Sequence, residues 1–262
     1  MEGRLKAPIL GVCHAPVNTM FQSLPPEKVI SFVCISEDQG EHFRNLFGRD
    51  CRVCYNGIDP MFYRPLGIPR SKRFLFLARF STIKGPDIAI EACREAGVGL
   101  DLVGDTQITN EPDFLQKCQR MCDWSDSIEG RSPSLVCRDT IRMVGPATRS
   151  ECVWWFSQAH ALLHPNQRFR EPFGLAPVES MACGTPVIAW DHGAMRETVR
   201  SGETGWLVNN FQDLVEAIKN ARDGSTWELM RPAAREQACK FSVRRMVERY
   251  ERLCHEAIKN PW

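Results

Sequence analysis

Residues 161–190 read ALLHPNQRFREPFGLAPVESMACGTPVIAW, and this stretch decides the fold. Ala161-Leu-Leu-His164 and Pro186-Val-Ile-Ala189 are short apolar runs of strand length. Between them, Phe173 to Ala182 has the length and apolar content of a helix. Strands that are apolar throughout, joined through a helix, predict parallel pairing with both sheet faces covered.

The same alternation continues upstream. Phe74 to Ala78 reads as a buried strand, Asp87 to Ala96 as a helix closed by Gly97, and Leu100 to Val103 as a second strand. Pro112 to Cys122 reads as a helix capped by Thr109 or Asn110. The polar stretch Ser125 to Ser134 reads as a loop. Ile141 to Val144 is a strand stopped by Gly145-Pro146, and Thr148-x-x-Glu151 is a capping box opening the helix that carries Trp154 and Trp155. Residues 61–225 are thus expected to form one α/β, Rossmann-like, doubly wound parallel sheet. Residues 1–60 hold two further strands, Ile9 to Cys13 and Phe32 to Ile35, too few for a second full α/β domain. Residues 226–262 read as C-terminal helices. In the last of them, opened by Ser242, Val243, Met246, Val247, Tyr250, Leu253, Cys254, Ala257 and Ile258 recur at spacings of three and four as one apolar stripe.

Composition sets limits on function. The chain has 262 residues, 43% of them hydrophobic and 25% charged, with 33 Lys plus Arg against 32 Asp plus Glu. A net charge of +1 supplies no field to gather a nucleic acid, so no nucleic-acid partner is expected. No apolar run reaches transmembrane length, and the first residues lack the apolar stretch of a secretion signal. The twelve cysteines are then expected as reduced, mostly buried thiols. Cys51-x-x-Cys54 lacks a second pair at zinc-ribbon spacing, so no metal is expected there.

Ligands of doubly wound sheets bind beyond the carboxyl ends of the strands. After the strand at residue 74 comes Arg79-Phe-Ser-Thr-Ile-Lys84-Gly85, which puts two cations at the sheet mouth, suited to a diphosphate or else simply surface charge. After the strand at residue 161 comes a loop with Glu171, then Phe173, Gly174 and Leu175 at a helix N-terminus, a place that favours anions. Glu179 follows eight residues after Glu171, a spacing that can bring two carboxylates to one side. Beside a phosphate, carboxylates are tolerable when they bind hydroxyls, which points to a sugar and a ribose. A dinucleotide is not indicated, because no G-x-G-x-x-G occurs.

ARFSTIKGPDIAIEA (residues 78–92) and EPFGLAPVESMACGTPVIA (residues 171–189) resemble the two signature stretches of retaining GT-B glycosyltransferases of the GT4 type, the group 1 glycosyltransferases. Glu171 and Glu179 form the E-x7-E motif of that family. Asn56-Gly57-Ile58-Asp59 upstream and Gly193, Glu197, Gly202 and Gly205 downstream extend the match over roughly residues 50–220.

The resemblance implies a metal-independent hexosyltransferase that uses a nucleotide-diphosphate sugar as donor, needs no cofactor and retains anomeric configuration. Arg79 and Lys84 would hold the diphosphate, Glu171 the hexose hydroxyls and Glu179 the ribose. The backbone of Phe173, Gly174 and Leu175 would meet sugar and phosphate, and the turn Gly145, Pro146, Ala147 would hold the base. His14, after the first strand, would correspond to the family's histidine beside the donor sugar. Here the chain departs from the pattern, since residues 1–60 match only the end of the family's N-terminal domain and its glycine-rich loop has no counterpart. Two readings stay open. One is a transferase acting on a sugar, lipid or small-molecule acceptor; the other is a donor-binding module completed by a partner chain that supplies the acceptor side. The expected location is cytoplasmic or peripheral to a membrane.

Overall fold

The computed structural model describes residues 9–15, 17, 30–106, 111–125, 139–224 and 226–260. Two parallel sheets organise them. The smaller has the order β1-β2-β3, with β1 Ile9–Cys13, β2 Ile30–Cys34 and β3 Cys51–Val53. One helix, α1 (Glu37–Phe47), connects β2 to β3 and covers one face, where Phe43 packs 5.0 Å from Phe32. Helix α1 was not legible in the sequence, because Gly40 interrupts a mostly polar stretch. The structure gives the reason for that glycine: a Cβ there would sit 3.2 Å from Val53 Cγ2.

The larger sheet runs β4 Phe74–Leu77, β5 Leu100–Val103, β6 Trp124–Ser125, β7 Ile141–Gly145, β8 Leu162–His164, β9 Val187–Trp190 and β10 Gly205–Val208. Its spatial order is β10-β9-β8-β4-β5-β7-β6, and every pairing is parallel. The chain enters in the middle at β4, winds outward through β5 to β7, then returns to β8 on the other side of β4. The winding direction therefore reverses between β4 and β8, and a ligand crevice forms at such a reversal.

Successive strand residues serve opposite faces. Phe74, Phe76, Leu100, Leu102, Ile188 and Trp190 join one core cluster, while Leu75, Val103, Leu162, Val187 and Ala189 join the other. Helices α2 (Pro86–Ala96), α3 (Pro112–Met121) and α7 (Phe211–Asp223) cover the first face. The second is covered by α4 (Arg149–Gln158) and α5 (Leu175–Ala182). The short α6 (Met195–Thr198) and α8 (Thr226–Cys239) complete that side. This is the doubly wound α/β architecture expected from the alternation of apolar strands and helices.

Local expectations met mixed outcomes. The Thr148 capping box is present with both of its hydrogen bonds, and the Ser242 side chain caps α9 (Val243–Lys259). Helix α3 begins differently: its N-cap is Glu111, which makes no side-chain cap bond, and Thr109 and Asn110 lie outside the described residues. Ser125 belongs to β6 rather than to a loop, and residues 126–134 lie outside the described residues. Helix α5 starts at Leu175, so Phe173 precedes it.

The C-terminal helices divide between the two sheets. Helix α8 packs on α5 of the large sheet. Helix α9 crosses to the small sheet, where Leu253, Met246 and Tyr250 meet Val33, Leu10 and Cys54. The outgoing and returning chains touch where Ile58 pairs with Ser242. Gly57 lies there against Val243, and a Cβ would come within 2.6 Å of the Val243 Cα. Cys51 faces the α1 side and Cys54 the α9 side, so the C-x-x-C thiols do not converge. All described cysteines are free thiols, most of them buried. No described helix is long and apolar enough to cross a membrane.

Candidate active site at the sheet reversal

The loops after β4 and β8 face each other across the reversal point. Gly85, the N-cap of α2, adopts φ +70° and lies against the Pro165 carbonyl; a Cβ would approach that oxygen to 2.5 Å. This close approach brings Lys84 to Glu171. Lys84 Nζ is 2.5 Å from Glu171 Oε2, and both side chains are nearly buried. Asn166 Nδ2 donates to the same oxygen at 3.3 Å. His164 Nε2 lies 3.5 Å from it. Lys84 also sits 4.9 Å from the centre of the Phe169 ring. Burial alone would raise the Glu171 carboxyl. The His164 and Lys84 contacts outweigh it and hold the pKa down at about 2.

Arg79 is exposed at the mouth of a 210 Å³ cavity lined also by Gly104, Asp105, Pro146, Ala147 and Cys152. The cavity lies over the carboxyl ends of β4, β5 and β7. Gly145 ends β7 at φ +89°, and its carbonyl accepts the Gly104 N–H at 2.8 Å. That bond ties the turn of residues 145–147 to the end of β5 and fixes the cavity floor.

Helix α5 opens at Gly174, which adopts φ +83° and has no side-chain cap bond. Its first N–H groups are left to water or a ligand, as an anion site requires. The Phe173 side chain belongs to the core, 5.6 Å from the Phe241 ring, so Phe173 has only its backbone to offer. Leu175 is exposed at the first turn.

Glu179, a turn further into α5, is half-buried and keeps different company from Glu171. Burial raises its pKa, while a hydrogen bond from Tyr63 and the Arg149 charge oppose the rise. Its carboxylate also acts on the Cys152 thiol, which lines the cavity and is pushed up, chiefly by burial, to about 11. The eight-residue spacing therefore does not set the two carboxylates on one helix face. Glu171 lies in the loop with Lys84, and Glu179 lies on the helix beside the cavity.

His14 follows β1 on the small sheet with its side chain exposed. Among the described residues, no hydrogen bond or ion pair joins it to Lys84 or Glu171. The structure thus gathers Arg79, Pro146 and Ala147 at one cavity, with Lys84 and Glu171 paired in the loops after β4 and β8. Sequence reading missed Tyr63, Arg149 and Asn166. Nothing in their spacing signals a contact: Asn166 reaches Glu171 within the loop after β8, and Arg149, at the start of α4, reaches the Tyr63 hydroxyl.

A second contact joins the two sheets close by. Glu197 of α6 accepts the backbone N–H groups of Glu37 and Asp38, each at 2.9 Å, and the Tyr55 hydroxyl at 2.7 Å. Arg170, next to Glu171, pairs with Asp38.

Comparison with known proteins follows the same lines. The sequence profile of the glycosyl transferases, group 1, matches residues 64–237. The D-inositol 3-phosphate glycosyltransferase of Thermobispora bispora is 31% identical over 156 residues, 56% of this chain and 33% of that protein. The enzyme of the same name from Mycobacterium bovis is 26% identical over 248 residues, 87% of this chain and 48% of that protein. The chain spans a third to a half of the length of these relatives. Among solved structures, Anabaena HepE in complex with UDP superposes with a TM-score of 0.77 at 21% identity, over 95% of this chain and 72% of that one. Sucrose-phosphate synthase from Thermosynechococcus elongatus gives 0.74 at 22%, over 94% and 67%. At such identities the likeness speaks for the fold.

Proposed function

The chain belongs to the group 1 glycosyl transferases and has the GT-B type of fold, and from this premise we propose that it binds a nucleotide-diphosphate sugar and transfers the hexose to an acceptor hydroxyl with retention of configuration. The observation that carries this reading is the meeting of Lys84 and Glu171 beside the Arg79 cavity, at the reversal point of the sheet. UDP in the HepE complex suggests a uridine donor as the first to try.

In this reading the base lies on the turn of residues 145–147 and the ribose reaches Glu179. The diphosphate meets Arg79, Lys84 and the open N-terminus of α5. Charge builds on the diphosphate as the glycosidic bond breaks, and fixed cations with oriented N–H groups stabilise it without reorganising. The two cations take the part that a divalent metal plays elsewhere, which is the basis for proposing a metal-independent reaction. Glu171, ionised and held by Lys84 and Asn166, accepts hydroxyls of the hexose. A carboxyl held near pKa 2 is a poor general acid, so Glu171 positions the sugar and does not protonate the leaving group. The acceptor hydroxyl then attacks from the face that the departing diphosphate occupies, and its proton passes to that diphosphate as the new glycosidic bond forms.

Calorimetric titration with UDP, GDP and ADP and their hexose conjugates tests this, without added metal. Binding of one nucleotide, lost in Lys84→Ala and Arg79→Ala, is the expected result; no binding to any of them overturns it. Binding without hydrolysis or transfer of the sugar to any hydroxyl acceptor favours the alternative, a donor-binding module completed by a partner chain.

A further inference from the structure

Asp38, in the first turn of α1, is held twice by residues of the large sheet. Its carboxylate pairs with the Arg170 guanidinium through two bonds, one from Nε at 2.8 Å and one from Nη2. Its backbone N–H, like that of Glu37, donates to the Glu197 carboxylate at 2.9 Å. Arg170 immediately precedes Glu171. Glu197 lies three residues after Ala194, whose N–H donates to the Glu171 carbonyl at 3.0 Å. Gly193 completes the arrangement at φ +61°, where a Cβ would sit 2.7 Å from the Glu171 carbonyl oxygen and 3.3 Å from the Arg170 Cγ. The loop after β8 and the turn into α6 thus pack as one unit, and that unit grips α1 through Arg170 and Glu197. The Glu171 side chain meets Lys84 and Asn166 instead.

We propose that Arg170 is a positioning residue for the donor sugar, anchored by Asp38 on the small-sheet side so that Glu171 keeps the orientation in which it accepts hexose hydroxyls. This rests on the reading of Glu171 as the hexose ligand. Ion pairs open to water contribute little to stability, and the Arg170 side chain is 57% exposed. What the pair supplies is direction, because a bidentate guanidinium–carboxylate contact fixes angle as well as distance. Asp38 is the fixed end. Its side chain is 13% exposed, its backbone is tied to Glu197, and its helix is capped by the Ser36 side chain. The loop is then secured at residue 170 to α1 and at the residue 171 carbonyl to the start of α6. Glu171 keeps little freedom beyond its own side-chain torsions, and a misplacement of about 1 Å is enough to spoil a positioned contact.

The test uses the full chain and calorimetry with UDP, GDP and ADP, each beside its glucose and mannose conjugates. The quantity read is the affinity added by the hexose, as the ratio of the two dissociation constants for the nucleotide that binds. Arg170→Met and Asp38→Asn are each expected to cut that ratio about three- to tenfold and to leave the free nucleotide unchanged. The double variant is expected to do no more than either alone. Arg170→Lys, which keeps the charge without the paired bonds, is expected to fall between wild type and Arg170→Met. Glu171→Gln is expected to cut the ratio at least as far as Arg170→Met. A loss in Arg170→Met that is absent from Asp38→Asn would mean that Arg170 meets the donor directly, and would overturn the proposal. Equal weakening of nucleotide and conjugate, the mark of a general loosening, would overturn it too, as would no change in either. In each of these outcomes a ratio cut by Glu171→Gln leaves the hexose reading intact. A ratio untouched by Glu171→Gln, a wild type that gains no affinity from any hexose, or no nucleotide bound at all would remove the hexose reading and the proposal with it.

Discussion

Lys84 and Glu171 stand 87 positions apart in sequence and form an ion pair with Nζ 2.5 Å from Oε2. Between strands adjacent in the sheet, this pair joins the cation of one loop to the carboxylate of the other. In the proposed reading, Lys84 meets the diphosphate with its charge partly compensated by Glu171, and Glu171 meets the sugar already held by Lys84. The pair therefore arranges the site before the donor arrives.

Removing one partner should be costly beyond the loss of a ligand contact. Lys84→Met leaves a nearly buried carboxylate without its cation, a change that typically costs about 3 kcal/mol. Urea unfolding of Lys84→Met, Glu171→Gln and the double variant forms a cycle. The double variant should be more stable than Lys84→Met alone, since it removes the orphaned charge. If the three values simply add, the pair does not couple in the folded protein.

The pair was only half visible in the sequence. Arg79, Lys84, Glu171 and Glu179 were each legible from residue type and from position after an apolar strand. Their grouping was not. Spacing suggested that the two glutamates share a side; in the structure Gly174 ends the loop and starts the helix, so Glu171 is presented by the loop, where it pairs with Lys84, and Glu179 by α5. Local signals such as the Thr148 capping box survive folding because they involve four consecutive residues. Partnerships such as Tyr63 with Arg149 depend on the order of strands in the sheet, which no local pattern encodes. Helix α1 escaped for another reason: its glycine is required by close packing on Val53 and lowers every helical signal around it.

The depressed pKa of Glu171 makes stability depend on pH in a definite direction. The group ionises at about 2 in the folded protein, against an ordinary value of 4.5. Its contribution is complete above pH 4.5 and disappears as the pH falls from there through 2, amounting to about 3 kcal/mol. Wild type should therefore lose its advantage over Glu171→Gln across that window. Chemical unfolding at half-unit pH steps reads this directly; a constant gap between the two proteins down to pH 2 would contradict it.

Glu179 should behave in the opposite sense. Its folded pKa is raised, chiefly by burial, so ionisation at neutral pH works against folding. Glu179→Gln is expected to raise the melting temperature at pH 7, with the gain shrinking as the pH falls through the folded pKa and wild type takes up its proton. The same variant should weaken nucleotide binding about tenfold, since a charge-assisted bond is lost. A variant both less stable and unimpaired in binding would refute the assignment on both counts.

Glu197 links the sheets through the first turn of α1. Glu197→Ala removes the acceptor of the Glu37 and Asp38 N–H groups and of the Tyr55 hydroxyl. The expected cost is about 1–2 kcal/mol, the size of a lost helix cap and its neighbouring bond. The loss should be local. Amide hydrogen exchange should quicken across α1, residues 37–47, while β4, β5 and β8 keep their protection. Uniform acceleration in both sheets would mean that Glu197 supports the large domain instead.

Gly85 offers the sharpest separation of geometry from chemistry, because it carries no functional group. At φ +70°, with the Pro165 carbonyl 2.5 Å from any added Cβ, Gly85→Ala must push the two site loops apart. Backbone strain of this kind costs about 1–3 kcal/mol. The displaced loop carries Lys84 away from Glu171, so nucleotide-diphosphate affinity should fall although every charged side chain is retained. A nucleoside monophosphate, which reaches less far toward Lys84, should lose less. The comparison of the two ligands on Gly85→Ala and wild type decides the matter. Equal losses would place the damage at the base and ribose end, and an unchanged diphosphate affinity would show that the close approach of the loops is not what holds Lys84 in place.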